Sequence, residues 1–322
     1  MTLKTGMQLL LAALAVGLLA GPAAAQKFPN GDVRIMVGYA PGGGTDAMAR
    51  LMAGRLQARQ GVNFVVENRP GALGQIAGQF VSKQVADGKL LMVTASSPVL
   101  ISPHIQMLFN PIKELTPVSL LVRFPGVLVV LPDSPIKSME EAIAQARREP
   151  GKLTFGTSGT GSMNHLSIEL VKKLAGVDLT HVPFQGSGPA MTALLGRHVD
   201  MVIAAIQDVA PKVRAGQVRA LGVDSAERSP VLPDVRAIRE AGFPEFGMSN
   251  WIGVFAPPGM SDELTMQVRN AFVDALQTGE IQNYLKNDGL TSAGTTPQDF
   301  RQEIVREFDK MGALIRPLNL KP

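Results

Sequence analysis

The sequence predicts an α/β fold of two lobes joined by two crossover strands, and three observations predict it. Short apolar runs rich in Val, Ile and Leu are each followed by a Gly/Ser/Thr/Pro loop and then by apolar residues at helical spacing, the signature of strands alternating with helices. Two distant segments share one design: Gly126 to Leu131, closed by Pro132, Asp133, Ser134 and Pro135, and Gly253 to Ala256, closed by Pro257, Pro258 and Gly259. Each is an apolar strand, a proline-rich turn and an amphipathic helix, as expected of two crossover strands. Lastly, four loops rich in glycine and hydroxyls sit where expected strands run into expected helices, the place where open α/β sheets bind ligands. Crossovers at the repeated segments divide the chain into one lobe of residues 26–126 plus 250–322 and another of 127–249.

The expected strands are Val33 to Tyr39, Asn63 to Glu67, Leu90 to Ala95, Gly126 to Leu131, Leu153 to Thr157, Leu179 to Pro183, Asp200 to Ile206, Val218 to Val223 and Trp251 to Ala256. None alternates strongly, which suits parallel strands covered on both faces. Four helical stripes stand out: Met48, Leu51, Met52 and Leu56; Leu166, Leu170 and Leu174; Leu264, Val268, Phe272 and Leu276; and Phe300, Ile304, Phe308, Met311 and Ile315. These are core surfaces.

Residues 1–25 read as a cleaved export signal. Lys4 supplies the charged start, Leu9 to Ala20 form an apolar run too short to span a bilayer, and Ala23 and Ala25 make an A-x-A site before Gln26. The chain has no cysteine, which excludes disulfides, thiolate metal sites, cysteine nucleophiles and a lipid-modified cysteine at the cleavage point. Of the 31 basic residues, loss of Lys4 leaves 30 against 27 Asp plus Glu, a formal +3 spread along the chain. Nucleic acid would call for a basic stripe, so none is expected as a partner. A monomer is expected.

The first of the four loops is Pro41, Gly42, Gly43, Gly44, Thr45, Asp46. Its glycines leave backbone amides open at a helix N-terminus, where a carboxylate or phosphate can be held without a basic side chain. Asp46 either caps the helix or orients a bound water. The second runs from Gly156 through Ser158, Gly159, Thr160 and Gly161 to His165, alternating hydroxyl donors with glycine. The third is Gln185, Gly186, Ser187, Gly188, Pro189, whose proline suits a first helical turn. The fourth is Thr94, Ala95, Ser96, Ser97, Pro98. Gly43 and Gly161 are expected across the cleft from one another, each meeting the ligand through backbone alone. The glycine-rich turn from Arg69 to Gly74 reads as a packing element, and Trp251 as either a buried hinge residue or a ligand-stacking ring.

Enzyme motifs fit poorly. Thr160 stands where a nucleophile elbow built on Ser158 needs glycine, and no Gly-Lys-Ser/Thr follows the first loop as a P-loop requires. The histidines at 104, 165, 181 and 198 show no metal-binding pair spacing, and neither metal nor cofactor is expected. His165 either hydrogen-bonds a ligand or is satisfied by backbone. Two further functions stay open: a receptor read by a sensor kinase, and an exported serine hydrolase using Ser158 or Ser187 with His165.

Several ordered motifs carry a resemblance across nearly the whole chain beyond residue 25: Val37 to Asp46, Val66 to Ala72 with Gly74, Asp87-Gly88, Phe155 to Gly159, Val182 to Ala190 and Asn250 to Gly259. In these the chain resembles the Bug-type substrate-binding receptors of tripartite tricarboxylate transporters. The resemblance implies a type II periplasmic binding protein that closes on a small organic carboxylate and hands it to membrane permease subunits. It further implies a carboxylate site of Gly42, Gly43, Asp46, Thr94, Ala95, Ser158, Gly159, Thr160, Gly161, Ser187, Gly188 and Pro189, with His165 matching a common pattern of the second loop. Many relatives carry an alanine pair where Ser187-Gly188 stand, so Ser187 offers a contact they lack. N-terminal sequencing of protein recovered from the periplasm should begin at or near Gln26; a mature chain that keeps Met1 would refute export with processing.

Overall fold

The computed structural model describes residues 27–320 apart from Gln185, Glu245, Ser249 and Asn319; the segment read as an export signal lies outside the described residues. The chain runs β1 (Val33–Val37), α1 (Gly44–Gln60), β2 (Phe64–Asn68), α2 (Gln75–Val81), β3 (Leu90–Ala95), α3 (Ser97–Leu100), α4 (Ser102–Ile105), α5 (Pro111–Glu114) and β4 (Thr116–Phe124). It continues β5 (Gly126–Val130), α6 (Met139–Arg148), β6 (Thr154–Thr157), α7 (Met163–Ala175), β7 (Thr180–Pro183), α8 (Ser187–Leu195), β8 (Met201–Ala205), α9 (Ile206–Arg214) and β9 (Arg219–Val223). It then closes with β10 (Asn250–Ala256), α10 (Asp262–Leu276), α11 (Gly279–Asp288), β11 (Thr291–Ser292) and α12 (Pro297–Ile315).

Two sheets organise these elements into two α/β lobes. The first has the order β11-β4-β10-β3-β1-β2 and the second β7-β6-β8-β5-β9. Strands β1, β2 and β3 pair in parallel, as do β6, β7 and β8, in line with buried runs that do not alternate. The strands near the lobe boundary depart from that expectation. β10 is antiparallel to both β3 and β4, and β5 is antiparallel to both β8 and β9. β4 itself was not among the expected strands, because Pro117, Ser119 and Arg123 break its apolar run. The fold gives each polar group a partner: the Ser119 hydroxyl donates to Thr295 O at 2.9 Å, and the Arg123 guanidinium makes two 2.6 Å hydrogen bonds to the Glu303 carboxylate.

The passage between lobes differs in detail from the expected one. Gly126–Val130 lies wholly in the second sheet and Asn250–Ala256 wholly in the first. The chain crosses at Pro125, between β4 and β5, and again between β9 and β10. A buried carboxylate ties these points together. Asp224, just past β9, accepts from Gly126 N at 2.6 Å and from the Ser167 hydroxyl at 2.7 Å, while its own N–H donates to Gly126 O at 2.9 Å. Ile206 N donates to Pro125 O, and Asn250 stands opposite Phe124 in the β4–β10 ladder.

The helical stripes pack as their spacing requires, with one exception. Met48, Met52 and Leu56 are fully buried under sheet 1, beside Val268, Phe272 and Leu276. On α7, however, Leu174 is 46% exposed, whereas Val171 and Ala175 are buried. Successive i+4 steps overshoot a 3.6-residue turn by about 40° each, so a 166-170-174 stripe drifts off the core face. Trp251 is fully buried edge-to-face with Phe300 at 5.1 Å.

Burial outweighs the Ser167 and Gly126 donors and pushes the Asp224 carboxyl up to about 7. With the folded value above the unfolded one near 4, ionising this group costs stability progressively as pH rises from about 4 to 7. The stability difference between wild type and Asp224→Asn should therefore move in the variant's favour over that interval in urea titrations. Asp224→Ala should lose about 1–3 kcal/mol near pH 4, since it leaves the buried Gly126 N–H without an acceptor, and that deficit should shrink as pH rises toward 7.

Candidate functional site

Between the two sheets lies a cavity of about 610 Å³, walled by both lobes and floored by the crossing, where Phe124 and Asn250 contribute. Roughly 300–1,000 Å³ is the usual range for small-molecule sites. Contacts between the lobes close the space at its rims. Met163 N donates to the Ser97 hydroxyl at 3.3 Å, and a methyl group placed on Gly161 would stand 2.5 Å from Ile105 Cδ1. Gln207 of the second lobe reaches Gly44 of the first closely enough that a Cβ there would stand 2.5 Å from its Nε2.

All four loops reach this cavity. Gly42, Gly43, Ala95, Ser158, Ser187, Gly188 and Pro189 line it, together with Pro41, Gly44, Thr45, Ser97 and Gly186. Asp46, Thr94, Gly159, Thr160, Gly161 and His165 do not belong to its lining. Asp46 is a structural hub: its carboxylate accepts from Gly42 N at 2.9 Å, Arg50 Nε at 2.9 Å and Asn68 Nδ2 at 2.8 Å. That network shapes the first loop from beneath. The Gly161 N–H donates to His165 Nδ1 at 3.1 Å and so is engaged within the protein. Gly43 has φ −80° and ψ 165°, open to any residue, and Gly42, at φ 88°, is the residue of this loop in the left-handed region.

His165 is a core histidine. Its ring stacks on His181 at 3.8 Å, and its Nε2 faces Glu169 at 3.7 Å. Burial, reinforced by the neighbouring His181 and Lys172, pulls its pKa down to about 3, and burial likewise pulls His181 down to about 4. Both rings are therefore neutral at neutral pH. With its ring nitrogens facing Gly161 and Glu169, His165 makes no base for Ser158 or Ser187.

The lining includes residues that glycine-rich loops did not reveal. Tyr39 and Ala40 extend the first loop, and Pro70 to Gly74 bring in the turn read as a packing element. The turn is a packing element as well, because a Cβ on Gly38 would stand 2.7 Å from Gly74 Cα, so the backbones touch. Arg69 turns away and lies over the Phe80 ring at 3.8 Å. From the start of α9 come Ala205, Gln207, Asp208 and Lys212. Here too a strand end meets a helix start, which was the available signal; the absence of glycine hid it. Asp208 and Lys212 are the charged residues among the described lining, so a basic side chain does attend the cavity although none of the four loops carries one.

Hydrogen-bonding capacity is unevenly shared. Helices α6, α10 and α12 are capped by the side chains of Ser138, Ser261 and Thr296. By contrast α1, α8 and α9 have Gly43, Gly186 and Ala205 at the N-cap, none with a side-chain cap, and all three residues line the cavity. First-turn N–H groups and the positive ends of three helix dipoles thus converge on one space. Asn164 Oδ1 and Asn250 Nδ2, on two further lining residues, are buried without a protein partner.

Among the described residues no helix is long and apolar enough to cross a membrane. The sequence model of the tripartite tricarboxylate transporter family receptor matches residues 48–320. The chain is 33% identical to the protein BugT of Bordetella pertussis over 313 residues, covering 96% of this chain and 95% of BugT. Among solved structures, it is similar to MatC from Rhodopseudomonas palustris with bound malate, with 31% identity, a TM-score of 0.82 and coverage of 90% of this chain and 100% of that one. A second R. palustris protein, with adipate, gives 32% identity, a TM-score of 0.83 and coverage of 89% and 97%.

Donors around Asp46 outweigh its burial and hold its pKa below the usual carboxylate range. A depressed folded value means stability that is present above the unfolded value near 4 and lost as pH falls through the folded one. Asp46→Asn should thus be less stable than wild type at neutral pH, with the gap closing in acid; a gap independent of pH in thermal melts from pH 2.5 to 7 would remove the charge from this role.

Proposed function

The chain belongs to the tripartite tricarboxylate transporter receptor family, and from that membership we propose that it is a periplasmic solute receptor whose interlobe cavity takes a small organic carboxylate. The observation that carries this reading is the convergence of three uncapped helix N-termini on a single cavity. Burying a carboxylate away from water is costly unless donors replace its hydration. Backbone N–H groups at Gly43 to Thr45 and at Gly186 to Gly188 supply such donors in fixed positions, and the Ser158 hydroxyl adds to them. Closure of the second lobe over the first completes the shell, a hinge motion about the crossing at Pro125 and Asn250. The ligand-loaded receptor then presents its cargo to the permease subunits of a membrane transporter. Malate in MatC and adipate in the second R. palustris protein support the choice of carboxylate.

The experiment is calorimetric. A thermal-shift screen of mono- and dicarboxylates selects the best acid, since a ligand that binds only the folded state raises the melting temperature. Isothermal titration then compares that acid with its methyl ester or amide in wild type and Gly43→Val. A Cβ at Gly43 meets nothing nearer than Ala40 O at 3.9 Å, so valine leaves the fold intact while covering the loop amides. Affinity should fall at least tenfold in the variant and for the neutral analogue. Equal binding of acid and ester, or wild-type affinity in Gly43→Val, would falsify the carboxylate site.

A further inference from the structure

We propose that Asp208 is a specificity-determining residue which makes this receptor prefer carboxylates that also bear a hydrogen-bond donor, a hydroxyl or an ammonium, over the bare acids of the same length. The inference deepens the carboxylate reading above and rests on it.

The cavity has two chemically opposite walls. On the α1 side stand backbone donors, at Gly43 to Thr45. On the α9 side stand acceptors. Asp208 lies in the first turn of α9, half-buried and lining the cavity, and the Ser187 hydroxyl faces its carboxyl. Its neighbour Gln207 lines the same wall, and the Gln207 Oε1 acceptor is buried with no protein donor. Lys212, one turn further along, does not quench the carboxylate fully, since its ammonium donates to the Asp208 main-chain oxygen at 3.2 Å. Asp288 presses on Asp208 from α11 with like charge.

A ligand whose carboxylate is held at the α1 loop brings its remaining atoms toward this acceptor wall. If those atoms are methylenes, the Gln207 Oε1 stays without a donor and the Asp208 carboxylate keeps only the Ser187 hydroxyl, which is costly. If they carry a hydroxyl or an ammonium, the donor completes both sets of hydrogen bonds. Sites built around buried polar groups discriminate strongly against analogues that lack the matching group, because the protein atom is then left unpaired. Burial raises the Asp208 pKa, consistent with a carboxyl short of partners.

The test uses matched triplets: propionate, lactate and alanine; succinate, malate and aspartate; glutarate, 2-hydroxyglutarate and glutamate. Each is titrated calorimetrically into wild type and Asp208→Asn, a near-isosteric variant whose fold is checked by circular dichroism. Wild type should bind the best donor-bearing acid at least tenfold more tightly than its bare counterpart, and Asp208→Asn should shrink that ratio at least fivefold. The hydroxyl and ammonium arms identify which donor is taken. Wild type that binds bare and donor-bearing acids alike, or a variant that keeps the ratio, overturns the role of Asp208 while leaving the carboxylate reading standing. Failure of every acid to bind wild type overturns both.

Discussion

The geometry of this protein hangs on the buried carboxylate of Asp224. It holds Gly126 at the point where the chain leaves one sheet for the other, and its own backbone N–H returns a hydrogen bond to the same residue. Because Asp224 follows β9 and Gly126 opens β5, this reciprocal pair locks the second sheet to the crossing. Gly126 must be small here, since a Cβ would stand 2.6 Å from Asp224 Oδ2 and 2.8 Å from Asn164 Oδ1. With the crossing fixed, the helices that start at β-strand ends in both lobes are aimed at a common space, and the cavity follows.

What fills that space electrostatically is mostly backbone. The starts of α1, α8 and α9 lack side-chain caps where they meet the cavity, while α6, α10 and α12, which lie away from it, are capped by Ser or Thr. Uncapped first turns are unfavourable in isolation and useful when an anion supplies the missing acceptors. The charged side chains sit on α9 instead, where Asp208 and Lys212 stand within one turn of each other. Backbone donors on one wall and side-chain acceptors on another give the cavity a direction, and that direction is set by which strand feeds which helix.

Beneath the visible wall lies a supporting layer. Asp46, Gly161 and His165, all expected at the ligand, brace the loops that reach it: Asp46 binds Gly42, and His165 accepts the Gly161 amide. Motif residues and lining residues are neighbours in sequence but alternate between facing the cavity and facing the core. The run from Ser158 to His165 leaves a strand end through a turn and enters a helix, so Ser158 lines the cavity while the His165 ring, on the helix, is buried in the core.

Much of this was legible in the residues alone. The alternation of apolar runs with helical stripes determined an α/β chain, the paired apolar-strand-and-proline segments pointed to two lobes, and glycine-rich strand-to-helix loops marked most of one end of the cavity. Those signals are local, carried by propensity and by the left-handed freedom of glycine at positions such as Gly42. Tertiary structure decided the rest. β4 was hidden because Ser119 and Arg123 interrupt its run, and their partners Thr295 and Glu303 lie about 180 residues away. The crossing point at Pro125 depends on contacts with Ile206, Asp224 and Asn250, and the acceptor wall of Gln207 and Asp208 carries no glycine signature. Such features arise from side chains brought together across long separations, and periodicity within a single segment holds no record of the partner that satisfies a polar group.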